Sequence, residues 1–220
     1  MQIVKTGKIL HAVIIVLAFL FTGTHILLNN RKIQQDAALH VVGIAESVLG
    51  TEVKAGRVQF VYPFGISIDN LTVYDLNGDT LAHIGSITGR IEPTQLLRHK
   101  INITSLRIQS PDIRLSVDSL GGRPNYAFLT DLFKSDNESK MAFRANSVLI
   151  RNGALSYDLK YVPATDSIFN ASHIAVKSLN ANVSLKSISS DSVSVVIRKF
   201  AFAEQSGFRL VRTKGAVRIP

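Results

Sequence analysis

The 220-residue chain contains no cysteine and no tryptophan. Without thiols it can form no disulfide framework, thiolate metal site or cysteine nucleophile. Its six histidines, His11, His25, His40, His83, His99 and His173, are scattered, with no pair at i, i+4 and no H-E-x-x-H, so the local spacing of zinc ligands is missing. Also missing are the nucleophile elbow G-x-S-x-G, the P-loop and the dinucleotide fingerprint. The reading is therefore a non-enzyme without metal or cofactor. Asp75, Asn77 and Asp79 resemble a fragment of a calcium loop, but a hairpin turn accounts for them better.

Positive charge is present but not gathered. The net charge is +9, yet no basic run exceeds pairs such as Arg31-Lys32 and Arg198-Lys199. A nucleic-acid binder collects such residues into a patch or stripe. The expectation is no nucleic-acid partner, and a basic surface suited to lying near anionic lipid head groups.

One long run is free of charged residues: "ILHAVIIVLAFLFTGTHILL", residues 9–28. Its length matches the ~20 residues that cross a hydrocarbon core as helix. The expected membrane-facing residues are Ile9, Val13, Ile14, Ile15, Val16, Leu17, Phe19, Leu20, Phe21, Ile26, Leu27 and Leu28. Lys5 and Lys8 precede the run and place the N-terminus in the cytoplasm, although Arg31 and Lys32 follow it. A cleaved signal peptide is the rival reading, because Thr22-Gly23-Thr24 are small residues after a shorter apolar core. The run resumes after them, which favours an uncleaved signal anchor.

Residues 31–50 change character. Ile33, Ala37, Val41, Ile44 and Val48 fall at helical spacing, and Gly50 suits a helix end. The pattern predicts an amphipathic helix packing that stripe on the start of a sheet, with a partner-binding or interfacial helix as the alternative.

From Thr51 the period becomes two. Strands are expected at 51–61, 64–74, 80–91, 101–108, 112–118, 143–151, 154–161, 173–186, 192–203 and 207–212. Turn chemistry separates them: Tyr62-Pro63, Asn77-Gly78 (a type I′ signal), Ser110-Pro111, Gly121-Gly122 and Asn152-Gly153. Short helices are expected from Pro93 and after Pro124. "SLRIQSPDIRLSVD" from Ser105 and "SVLIRNGALSYD" from Ser147 form a weak repeat, each unit read as a hairpin. Ile68 to Leu71 and Ile197 to Phe200 step by three, which signals bulges or bends. The triplets at 79–81, 118–120, 166–168 and 191–193 match an Asp-Ser/Thr-aliphatic glycosylation pattern, and equally plain turn chemistry.

Taken in order, these segments resemble the N-terminal region of AsmA-like envelope proteins of the TamB (translocation and assembly module) type. The resemblance rests on "SVLGTEVKAGRVQF", "PFGISIDNLTVYDLNGDTLAHI", "INITSLRIQSPDIRLSVDSLGGRPNYAFL" and the stretch ending "EQSGFRL". It implies a mostly β fold: a transmembrane helix and an amphipathic helix, then a long curved antiparallel sheet forming an open β-groove with two short helices. It implies an inner-membrane protein with a cytoplasmic stub (1–8), an anchor (9–28), the helix (31–50) and a periplasmic groove domain (51–220) with a subdivision at 134–140. It also implies phospholipid transport and outer-membrane assembly, with membrane lipids as ligands. The protein partner would be an outer-membrane Omp85-family barrel (TamA- or BamA-like), reached through a C-terminal part beyond this chain. Family members are far longer than 220 residues, and ten stacked strands give only about 45–50 Å of groove.

On that reading the groove is lined by Leu106, Ile108, Ile113, Leu115, Val117, Val148, Ile150, Leu155, Tyr157, Val183, Leu185, Val193, Val195 and Ile197. The same alternation also fits a closed sandwich core. A second function fits an exposed sheet edge: an anchored interaction module that binds a polypeptide by strand addition.

Overall fold

A computed structural model describes residues 30–61, 64–92, 102–134, 144–164, 169–189 and 192–219. The expected anchor and the helix expected from Pro93 lie outside them. Among the described residues no helix is long and apolar enough to cross a membrane.

Helix α1 (Arg31–Leu49) starts on Asn30, whose side chain accepts from the Lys32 N–H, and stops at Gly50 in the left-handed conformation. It packs on the first strands, but not through the stripe expected from its periodicity. Its buried residues are Gln34 and Ala38, whereas Ile44 and Val48 are 65% and 58% exposed. The small Ala38 lets the helix approach the sheet closely, so the neighbouring face docks and the large aliphatics stay outside.

The strands are β1 (Val53–Lys54), β2 (Arg57–Val61), β3 (Gly65–Tyr74), β4 (Thr80–Ile91), β5 (Asn102–Val117), β6 (Arg144–Ala145), β7 (Val148–Leu159), β8 (His173–Ser189), β9 (Ser192–Glu204) and β10 (Arg209–Ile219). All belong to one open sheet, ordered β1-β3-β4-β5-β7-β8-β9-β10, with β2 also on β3 and β6 also on β5. Because β2 shares the β3 edge with β1, and β6 shares the β5 edge with β7, the path has eight positions, or roughly 35 Å at the usual strand spacing. The sheet is antiparallel except at β5, which pairs in parallel with β6 and β7. A parallel neighbour needs a long crossover. Residues 118–143 supply it and contain helix α2 (Ala127–Lys134), the helix expected after Pro124.

The two repeat units are the parallel neighbours. Ile108 pairs with Ile150 and Ile113 with Leu155. Neither unit is a hairpin, because Ser110-Pro111 and Asn152-Gly153 bend a strand that continues through them. Asn70, Ser110, Asn152 and Ser178 all have φ between 47° and 54°, a left-handed conformation that single Asn and Ser residues tolerate. The register sets them side by side: Asn70 faces Gly85, Gly85 faces Ser110, and Ser110 lies beside Asn152. The β7–β8 register slips around Asn152 and Ser178. The result is a fold line across the sheet. It explains the three-residue step from Ile68 to Leu71, and a separate β9 bulge next to Ile197 explains the other.

The hairpin at Asn77-Gly78 also differs from expectation. Gly78 has φ +88°, but Asn77 is not in the positive-φ region that type I′ requires. Gly78 N–H donates to the Asp75 carbonyl, and the buried Asp75 carboxylate accepts from the N–H groups of Asn77 and Asp79. This is a longer loop built on a side-chain-capped turn.

Candidate functional site: an uncovered apolar sheet face

Directly paired residues share a face of a sheet. Following the register from Val58 gives Ile68, Ile87, Ile108, Ile150, Ala181 and Phe200 in one row. The next row holds Phe60, Ile66, Gly89, Leu106, Val148, Val183 and Ile197. Beyond the fold line, Val53, Val73, Ala82, Ile113, Leu155 and Val176 form another. Leu115 and Tyr157 pair with each other, as do Val117 and Leu159. Leu185 pairs with Val195, and Val193 with Ile188 and Ile219.

The fold line brings these rows onto one surface. A Cβ placed on Gly153 would sit 3.0 Å from Pro111 Cγ, 3.3 Å from Leu179 Cβ and 3.5 Å from Ile150 Cγ2. Ile150 comes from one side of the line and Pro111 from the other, so the apolar sets meet at Gly153 on the inside of the bend. Each left-handed residue absorbs one step of the alternation, which keeps aliphatic side chains on the same side.

The opposite face is polar and cross-bonded. Asp69 takes Arg57 at 3.1 Å and Gln59 at 2.8 Å, Ser67 bonds Thr88 at 3.0 Å, and Arg114 pairs with Asp112 at 2.7 Å. Such pairs satisfy the polar groups at that surface.

Among the described residues, helix-on-sheet packing is concentrated where α1 meets β1 and β2. Val53 and Val58, beneath it, are each only 2% exposed. Along the rest of the rows Ile68, Ile87, Ile108, Ile150, Leu106 and Val148 are only half-buried, although they sit in the middle of the sheet. Strand neighbours shield their flanks, and among the described residues no second layer shields their tips. All fourteen residues expected to line a groove fall in these rows by register. The expectation omitted the equivalent positions on β2, β3 and β4, notably Ile66, Ile68, Ile84 and Ile87. Their signal was in the sequence as the three-residue steps 68 to 71 and 84 to 87.

Two motifs serve as turn chemistry. In "EQSGF" the Glu204 carboxylate accepts from the Ser206 N–H and hydroxyl, which holds its carboxyl below the ordinary range, and Gly207 supplies φ +97°. In "GGRPN" the Asn125 side chain accepts from Ser116 N–H and donates to the Arg114 carbonyl, each at 2.9 Å, strapping the approach to α2 onto β5. Of the Asp-Ser/Thr-aliphatic triplets, 79–81 uses Leu81 as buried core, whereas Leu120 is 83% exposed. No metal-holding group of His, Asp and Glu occurs among the described residues.

Comparison with protein-family models returns no match. Comparison with curated proteins returns none either.

Proposed function

We propose that this protein is an AsmA-like envelope protein of the TamB type, whose sheet forms the membrane-proximal part of an apolar groove for phospholipid. The observation that carries the reading is the contiguous, partly exposed apolar surface across the sheet, with no layer over it among the described residues. Contiguous apolar surface of this extent marks an interface or a ligand groove. Lipid tails would supply the missing cover without demanding hydrogen bonds, and the polar outer face would remain in water. The order of the sequence segments that resemble the family supports the same reading.

In this proposal residues 9–28 anchor the chain in a bacterial inner membrane, with the N-terminus cytoplasmic and the sheet in the periplasm. Lys5 and Lys8 before the apolar run support that orientation. A path of roughly 35 Å is too short to span a periplasm, so delivery to the outer membrane and to an Omp85-family barrel would need further structure. Native mass spectrometry of the full chain taken from membranes, with lipid extraction of the same sample, tests the idea. Phospholipid should co-purify and be lost on Ile108→Asp or Ile150→Asp. A lipid-free, stably folded protein would refute the groove.

A second reading is favoured by one feature. Among the described residues β10 is an outer strand paired with β9 alone, and residues 211–216 are all exposed, Val211 by 74%. A polypeptide could add to that edge through main-chain bonds. Lipid extraction separates the two, since strand addition leaves the apolar face lipid-free.

A further inference from the structure

The end of the apolar face nearest α1 is built differently from the rest. Asn125 straps the start of α2 to β5, which sets α2 opposite the last turn of α1. Between them, over the tip of the β3–β4 hairpin, lies a cavity of about 560 Å³. Its apolar lining is Val48, Leu49, Leu76, Pro124, Ala127 and Phe128. Arg123 and Asp131 also line it, ion-paired to each other and with side chains 76% and 51% exposed, so they stand at the solvent side.

Among the described residues nothing covers two aliphatic side chains in this place. Val48 belongs to the helix stripe that does not dock on the sheet, and Leu76 occupies a hairpin tip while 66% exposed. A solvated tip favours a polar residue. We infer that the cavity holds one acyl chain of a phospholipid, with the Arg123–Asp131 pair facing a zwitterionic head group. This rests on the lipid reading of the sheet face and adds a discrete holding site to it. The volume falls within the usual few hundred to one thousand Å³ of small-molecule sites, and the six apolar residues share the lining with Ser47, Asn77 and Asn125 besides the ion pair. A guanidinium suits a phosphate, and the adjacent carboxylate suits an ammonium group. A peptide fits less well. The lining comes from helix and loop, with no outer strand whose main chain an extended peptide could join.

The test uses the full chain in vesicles of phosphatidylethanolamine, a fraction of which carries a photoreactive diazirine on one acyl chain. After irradiation, labelled residues are mapped by peptide mass spectrometry. Label on Val48, Leu76 or Phe128, together with label around Ile108, is the expected result. The double variant Val48→Glu, Leu76→Glu should lower cavity labelling at least about tenfold while the sheet stays labelled, because each lost aliphatic contact is worth a factor of that order. Both side chains are exposed, so the variant should keep its fold. Label on the sheet alone would overturn the holding site and leave the groove standing. No label on either would overturn both. Cavity label that persists in the double variant would also refute the site.

Discussion

Val58 and Ile108 occupy the same row of one sheet, on strands three positions apart, yet live in different surroundings. Val58 lies under α1 and is 2% exposed, while Ile108 has strand neighbours on both sides and, among the described residues, no layer over it. Both come from the same alternation of apolar and polar residues. Alternation therefore tells which face a residue takes and is silent on whether that face is covered. The end under α1 is packed as a protein core, and the rest of the row stays partly exposed among the described residues.

The largest effect should come from placing a charge at each position. Val58→Asp strands a carboxylate under the helix and should cost about 3 kcal/mol or more. Ile108→Asp leaves its carboxylate hydrated and should cost about 1 kcal/mol, mostly for lost strand-neighbour contact. Thermal unfolding in detergent, followed by circular dichroism, compares them; equal costs would mean that the two ends are equally covered.

Next in size is the fold line, which belongs to neither end. Asn152 sits at φ 51°, so Asn152→Val forces a β-branched residue into the left-handed region and should cost about 1–2 kcal/mol. Asn152→Gly should be neutral or stabilising. If both variants unfold alike, packing rather than backbone conformation sets the bend.

A smaller, pH-dependent effect is expected at Glu204. Its carboxyl is held below the ordinary value of 4.5 by the Ser206 hydroxyl and N–H. The stabilisation is thus present above that value and fades as pH falls through the lower folded one. Glu204→Gln should lower stability at neutral pH and flatten the acid limb, so that variant and parent converge as pH falls below about 4.5; an unchanged limb would refute the role. Smallest of all is the Lys160–Asp118 pair, 2.7 Å long with both side chains about half exposed. Lys160→Ala should shift stability by no more than about 0.5 kcal/mol, a change that high salt should erase.

Much of the sheet was legible in the residues. Strands β3 and β4 were expected at 64–74 and 80–91 and run over Gly65–Tyr74 and Thr80–Ile91. What escaped depended on pairing. Ser110-Pro111 and Asn152-Gly153 carry the same local preferences whether the chain reverses or merely bends, and only the in-register parallel partner decides. The parallel pair itself depends on a crossover, not on either strand. For α1 the period showed the helix but not its docked side, because Ala38 gains by close approach what Ile44 would gain by size. The face of the candidate site was legible; its lack of cover was not, since cover belongs to other parts of the chain.

The fold line also separates two dimensions of the molecule. Where each strand bends determines the width of the sheet on either side of the line, and how many strands pair determines its length. Pairing continues on both sides of the line, so a strand joining the β10 edge would have to bend at the same level as its neighbour. Width is thus copied from strand to strand, while length is free to grow.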